Sequence, residues 1–210
     1  MRLTVYGLSY RYGTGSLLFD DLDFEVGMGE MLALTGPSGC GKSTLLDLVG
    51  GLRVPTGGVI TFAGGPPGED PRRRVAWIAQ STPVLGGRTA TDNVALALVA
   101  QGHSVRSAAH RAASALRAVG LESRTGALIG ELSGGEVQRV SVARCLAMAA
   151  NIILADEPTA QLDADNTAMV IEALAGAAAA GKIVLIATHD RWVAAQCHKE
   201  LHLRTLAPRE

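Results

Sequence analysis

"TGPSGCGKST", residues 35–44, is the stretch that decides the fold. It follows the apolar run Met31 to Thr35 and precedes a helical pattern, Ser43 to Val49, so a glycine-rich turn joins a buried strand to the start of a helix. Within it, Gly36, Pro37, Ser38, Gly39, Cys40, Gly41, Lys42, Ser43 and Thr44 satisfy the spacing G-x-x-x-x-G-K-[ST] of a phosphate-binding loop. The chemistry explains the spacing. Glycines let backbone N–H groups turn toward a polyphosphate, and the helix N-terminus adds partial positive charge. Lys42 reaches toward the β- and γ-phosphates, and the Ser43 hydroxyl is placed to bind Mg²⁺. A chance glycine-rich turn would not also carry the strand and helix flanks. Cys40 contributes backbone geometry, and its thiol is assigned no role.

Further buried-strand runs lie at Val75 to Ala79, Ile152 to Ala155 and Ile183 to Ala187, each followed by a helix-like pattern. This alternation predicts an α/β chain with a mostly parallel central sheet. The run Ile152 to Ala155 leads into Asp156 and Glu157, where Asp156 would support a Mg²⁺ shell and Glu157 would polarise an attacking water. Two adjacent acids at a strand end are also what a solvated turn or a helix cap looks like, and the phosphate-binding loop is what favours the catalytic reading. His189, in "IVLIATHDR", follows the next strand and falls at the same carboxyl edge, where open α/β sheets bind ligands; a γ-phosphate contact is expected there.

At the N-terminus, Leu3 to Leu8 and Leu18 to Val26 read as extended segments joined by "SYRYGTGS", which predicts an antiparallel β-layer. Between the second and third buried strands, roughly Thr91 to Gly120, alanine and leucine recur with polar residues at helical spacing, which implies an inserted helical subdomain at approximately 88–135. At its end stands "ELSGGEVQRV", residues 131–140, a second glycine-rich loop opening a helix and so a second anion cradle.

The bulk properties narrow the classes. A chain of 210 residues buries one substantial core and leaves room for a small subdomain. Its net charge of −1, with no basic run beyond Arg72, Arg73 and Arg74, gives no footprint for nucleic acid. Cys40, Cys145 and Cys197 are odd in number and widely spaced, as expected of small buried residues in a reduced, cytosolic compartment. Met1 to Tyr6 alternates like a strand and does not read as a signal peptide. The longest apolar run, Ala173 to Ala180, is far shorter than the ~20 residues a bilayer span requires, so nothing is expected to cross a membrane by itself.

With Leu132, Ser133, Gly134, Gly135 and Glu136 added to these motifs, the chain resembles the nucleotide-binding subunit of an ABC transporter over nearly all of its length. The resemblance implies a P-loop NTPase fold as a single ABC ATPase domain, 1–210, with a mostly parallel central sheet, an N-terminal antiparallel β-layer and the inserted α-helical subdomain. It implies ATP and Mg²⁺ as cofactors, with Glu157, His189, Lys42 and Gln80 in the catalytic centre and Ser43, Gln80 and Asp156 around the metal. By the same resemblance Tyr12 stacks on adenine, although Tyr10 two positions away shares its pattern. Gln80 joins the core to the helical subdomain, and the segment Ala160 to Asp163 contacts an opposite subunit, bringing Asp163 to the nucleotide. The two cradles would then serve one ATP from different chains: a homodimer in which a nucleotide gripped by Lys42 is capped by Ser133, Gly134, Gly135 and Glu136 of another copy. An integral-membrane permease would be the other partner, with the cassette peripheral on the inner face of the cell membrane.

The stretches "VQRVSVARCLA", "ILADEPTAQLD" and "TATDNVALALVAQG" resemble the MacB and lipoprotein-release group of bacterial exporters. The segment before Gln80 is shorter than that group usually has, and Ala160 stands where it commonly has glycine. An importer, a heme or peptide exporter, a division-associated or signalling relative, and a soluble ABC ATPase that moves no solute therefore stay open.

Overall fold

The computed structural model describes residues 1–64, 75–79 and 83–205. Its strands fall into two sheets. Strands β1 (Arg2–Arg11), β2 (Leu17–Gly27) and β4 (Gly57–Ala63) form an antiparallel sheet in the order β2-β1-β4. Strands β3 (Met31–Thr35), β5 (Val75–Ile78), β6 (Ile152–Asp156), β7 (Ile183–Ala187) and β8 (Lys199–His202) form a sheet in the order β5-β6-β7-β3-β8, with every pairing parallel.

The continuous apolar runs of β3, β6 and β7 follow from covering both faces of this sheet. Ile153, Ala155, Val184 and Ile186 point into a core shared with helices α2 (Ala90–Ala100), α3 (Val105–Ala118), α4 (Gly134–Ala147) and α5 (Ala164–Ala179). Their alternate neighbours Ile152, Leu154, Leu32, Leu34 and Leu185 point into a second core. That core is completed by α1 (Lys42–Val49) and by Leu3, Val5 and Leu8 of the antiparallel layer. The period of two is present but invisible in the composition, because both faces are apolar.

The helical insert is closed at its base. Ala90 and Thr91 donate backbone hydrogen bonds to the carbonyls of Ala127 and Thr125, and Thr89 pairs with Leu128. Thr89 caps α2 in a reciprocal capping box with Asp92. Buried Asn93 accepts from the Leu85 amide at 2.7 Å and donates to the Leu85 and Thr89 carbonyls, so the approach to α2 is latched to its first turn. On that approach Leu85 is 49% exposed, whereas Val84 is half-buried against the core.

Sequence and structure differ at particular elements. Strand β1 continues through Ser9 to Arg11, part of the expected turn, and α1 begins at Lys42 instead of Ser43. Strands β4 and β8 are additions. The first opens on two glycines, and the second is a four-residue edge strand bearing Lys199, Glu200 and His202. Cys40 and Cys145 are buried and Cys197 half-buried, all three as free thiols. Burial pushes the Cys145 thiol up to about 12 and Cys197 up to about 11. Among the described residues, no helix is long and apolar enough to cross a membrane.

The two-sided core makes a direct stability test. Leu46, fully buried on α1, should cost about 2–5 kcal/mol on substitution by alanine in urea unfolding. Leu96→Ala, on an exposed face of α2, should cost less than about 1 kcal/mol. Equal losses at the two positions would contradict the assignment of the core.

Candidate functional site

Where β3 ends, the chain can turn only because Gly36 and Gly41 lack side chains. Gly36 has φ 135°, and a Cβ there would stand 2.4 Å from the Leu203 carbonyl oxygen and 2.9 Å from Cys40 Sγ. Gly41 has φ 100°, and a Cβ there would come within 2.7 Å of the Phe19 ring and 2.8 Å of Leu18. The loop is thus wedged between β2 and Leu203, the residue that follows β8. Inside it, the Cys40 amide donates to the Pro37 carbonyl at 3.2 Å and the Leu45 amide to the Gly41 carbonyl at 2.8 Å. Lys42 Nζ donates to the carbonyls of Gly36 (2.9 Å) and Pro37 (3.3 Å), which holds the ammonium against the start of the loop.

A cleft of about 310 Å³ opens here, lined by Tyr12, Leu18, Gly39, Gly41, Lys42, Ser43 and Thr44. A helix N-terminus, a loop of turned amides and an ammonium suit an anionic, phosphate-bearing ligand. Buried Thr44 lies 2.7 Å, hydroxyl to hydroxyl, from Tyr12. Tyr12 is 50% exposed at this cleft, whereas Tyr10 is 7% exposed and belongs to the core.

Asp156 closes β6, paired with Ala187 of β7. Glu157 follows with φ 49°, a left-handed conformation that costs a non-glycine residue on the order of 1 kcal/mol and clusters at functional sites. Its amide donates to the Ala187 carbonyl at 2.9 Å, which ties the strained residue to the end of β7. Its carboxylate, 13% exposed, lies 2.8 Å from Nδ1 of His189, which is 72% exposed. Asp190, next in sequence, accepts from the Trp192 and Val193 amides and caps the short helix α6 (Arg191–Ala195), so the residue after His189 is anchored.

The donor set around this edge suits Mg²⁺ with a phosphate ligand. Among the described residues no three His, Cys, Asp or Glu side chains gather to hold a metal. Neither the Ser43 hydroxyl nor the Asp156 carboxylate has a hydrogen-bond partner among the described residues. One hydroxyl and one carboxylate, both hard oxygen donors, leave most positions to phosphate and water, as is usual for Mg²⁺. Gln80, the remaining expected ligand, lies outside the described residues.

The second cradle is the start of α4. Ser133 and Glu136 form a reciprocal capping box: Ser133 Oγ accepts from the Glu136 amide at 3.3 Å, and Glu136 Oε2 accepts from the Ser133 amide at 2.8 Å. Arg124 Nε donates to Glu136 Oε1 at 3.1 Å. The bond from the Ser133 amide, then its hydroxyl and Arg124, hold the Glu136 carboxyl below the usual carboxylate range against a burial penalty. Cβ atoms on Gly134 and Gly135 would come within 3.2 Å of Gln161 Oε1 and 3.1 Å of Leu162, so the glycines let this helix start lie on the segment 160–163. Gln138 reinforces the contact by donating to the Pro158 carbonyl at 3.3 Å. Asp163 accepts from the Asn166 amide at 2.9 Å as the cap of α5, a structural task for a residue expected near the nucleotide.

The chain therefore brings the phosphate-binding loop, Asp156, Glu157 and His189 to adjoining strand ends, while the hydrogen bonds of Ser133 and Glu136 run to each other and to Arg124. Two features escaped sequence reasoning. The direct Glu157–His189 contact joins residues that follow different strands, and Arg53 lies with its guanidinium carbon 5.0 Å from the Tyr12 ring centroid. No spacing in the sequence signals either.

Comparison with known proteins agrees with this geometry. A family profile described as ABC transporter matches residues 19–160. The dimeric post-hydrolysis state of the ATP-binding cassette MJ0796, bound to ADP and Pi, superposes with a TM-score of 0.83 at 29% identity, covering 96% of this chain and 94% of that one. A putative metal-chelate type ABC transporter in an inward-facing conformation gives 0.81 at 28% identity, covering 96% of this chain and 78% of that one. A putative ABC transporter ATP-binding protein from Pyrococcus furiosus gives 0.84 at 23% identity over 97% of this chain and 98% of that one, a likeness of fold.

The capping box predicts a pH-dependent loss. Glu136→Ala should destabilise the chain by about 1 kcal/mol at pH 7. Because the folded carboxyl titrates below its unfolded value, the stabilisation is present above the unfolded pKa of about 4.3 and fades as pH falls through the lower folded pKa. Urea titrations of both proteins should therefore converge in acid; a gap independent of pH would assign the loss to something other than the carboxylate.

Proposed function

The chain belongs to the ABC transporter family, and on that premise we propose that it is the ATP-binding and ATP-hydrolysing cassette of a transporter. It works as one ABC ATPase domain, 1–210, whose helical subdomain occupies about 88–135. One observation carries the reading: adjoining parallel strands β6, β7 and β3 end together, and at their carboxyl ends stand Glu157, His189 and the loop of Lys42.

In this reading the amides of Gly36 to Thr44 and the Lys42 ammonium hold the polyphosphate, and Tyr12 holds the adenine. Ser43 and Asp156 hold Mg²⁺, which when bound neutralises charge developing on the phosphoryl oxygens. Glu157 takes a proton from the water that attacks the γ-phosphorus, the bond to the ADP oxygen breaks, and phosphate leaves. His189 fixes the Glu157 carboxylate through Nδ1 and leaves Nε2 to approach the γ-phosphate. Gln80 is assigned beside the attacking water and the metal by family resemblance alone.

The second cradle serves a second copy. Exposed Ser133 and the amides of Gly134 and Gly135 open a helix whose positive end stands at the surface, which supports a head-to-tail homodimer with two ATP in the interface. Glu136 orients that helix start, and Asp163 stands in the segment on which it lies. Hydrolysis removes the γ-phosphate link between the copies, so chemistry becomes opening of the dimer.

The driven partner is a separate integral-membrane permease, which puts the cassette on the inner face of the cell membrane. Leu85, half-exposed on the segment latched by Asn93, supports docking beside α2. The three motif stretches that resemble the MacB and lipoprotein-release group favour export of a lipid, peptide or heme cargo.

Two substitutions test the catalytic reading together. Lys42→Ala should abolish tight ATP binding by calorimetry, while Glu157→Gln should bind ATP and turn it over at least ~10²-fold more slowly. Wild-type turnover by Glu157→Gln would remove Glu157 from the chemistry.

A further inference from the structure

Tyr12 is held on several sides. Its hydroxyl lies 2.7 Å from Thr44 Oγ1, the Tyr10 ring meets it edge to face at 5.2 Å between centroids, and the Arg53 guanidinium carbon sits over the ring at 5.0 Å from its centroid. Arg53 is itself anchored: Nε donates to Asp47 Oδ2 at 2.8 Å, and a terminal nitrogen donates to the Tyr10 hydroxyl at 3.4 Å. Thr44 and Asp47 both belong to α1, the helix that the phosphate-binding loop opens. An exposed tyrosine packed only for the sheet surface would not need two connections to that helix.

We propose that Arg53 is a positioning residue for the nucleobase: through the cation–π contact and its pairing with Asp47, it holds the Tyr12 ring in register with the phosphate-binding loop, so that the exposed part of the ring forms a platform for a purine. The proposal rests on the nucleotide site put forward above and adds a residue that does not itself touch phosphate. The physical basis is preorganisation. A half-exposed tyrosine at a strand end would otherwise sample several rotamers and lose that freedom on binding. A guanidinium over the ring removes the freedom in advance and stabilises the one orientation by cation–π attraction. The cleft is consistent with recognition by stacking. Of its lining residues Tyr12 is the aromatic one, with Leu18 the large aliphatic one beside it.

The consequence is selective. Arg53 should matter for ligands that carry a base and not for the polyphosphate alone. The test compares Mg–ATP and inorganic tripolyphosphate as ligands of the full chain by calorimetry, for the wild type, Tyr12→Ala, Arg53→Ala and Arg53→Gln. Arg53→Ala should weaken ATP binding about three- to tenfold and leave tripolyphosphate binding unchanged, with Tyr12→Ala weakening ATP at least as much. Arg53→Gln keeps the stem and loses the charge, so it should show the same base-dependent loss and serves if the alanine variant does not fold. If Tyr12→Ala leaves ATP binding intact, the platform itself is wrong and the proposal goes with it. If Tyr12→Ala weakens ATP and neither Arg53 variant does, the platform stands and the bracing role is overturned. An equal loss for ATP and tripolyphosphate in both Arg53 variants would also overturn it, by showing that Arg53 acts on the loop or the fold.

Discussion

Between β7 and β8, strand β3 has parallel neighbours on both edges and apolar layers on both faces. That confinement fixes where Thr35 ends and where Gly36 must turn. The Leu203 amide donates to the Thr35 carbonyl at 2.8 Å, and the Thr35 hydroxyl donates to Glu200 at 2.6 Å, so the root of the loop is bonded to the edge strand from backbone and side chain alike. The Leu203 carbonyl then occupies the space that a side chain on residue 36 would need. Parallel pairing also sets the direction of β6 and β7, which is why Glu157 and His189 emerge on the same side as Lys42. A rigid scaffold with its reactive groups at strand ends can hold a strained Glu157, because the Ala187 carbonyl binds its amide and His189 its carboxylate.

The two helix starts share a partial charge and differ in what satisfies it. At α1 there is no side-chain cap: Gly41 stands at the cap position, and Lys42 turns back toward the Gly36 and Pro37 carbonyls. At α4 the cap is complete, with Ser133 and Glu136 each satisfying an amide of the other. A first turn that is stable on its own can present its remaining amides outward without being ordered by a ligand of the same chain. That difference matches one cradle that grips a nucleotide and another that closes over the nucleotide of a partner.

How much was legible depends on how local each signal is. The unit β3, loop and α1 could be read because strand pattern, glycine spacing and lysine lie within fifteen residues of continuous sequence. The parallel sheet followed from runs such as Ile152 to Ala155, whose burial on both faces leaves an unbroken apolar signature. Strand β8 was illegible for the opposite reason: at a sheet edge Lys199, Glu200 and His202 are tolerated, and its pairing with β3 joins residues as distant in sequence as Leu32 and Lys199. Strand β4 begins with Gly57 and Gly58, which read as a turn. At the site, residue identities were legible and contacts were not. Sequence brought His189 and Glu157 to one edge without their hydrogen bond, and it chose Tyr12 over Tyr10 without the difference in burial and partners that separates them. Arg53 carried no pattern at all, since its meaning lies in three partners, Asp47 on α1, Tyr10 on β1 and Tyr12 in the turn after β1.

The central claim is that the two cradles of one chain belong to two different nucleotides. Sedimentation of the Glu157→Gln chain, slow to hydrolyse and therefore able to hold ATP, tests it most directly. The account predicts a species of 21.7 kDa without nucleotide, twice that mass with Mg–ATP, and a return to the single mass when Ser133→Arg is added. A chain that binds ATP and remains at the single mass, or one whose dimer tolerates Ser133→Arg, would contradict it.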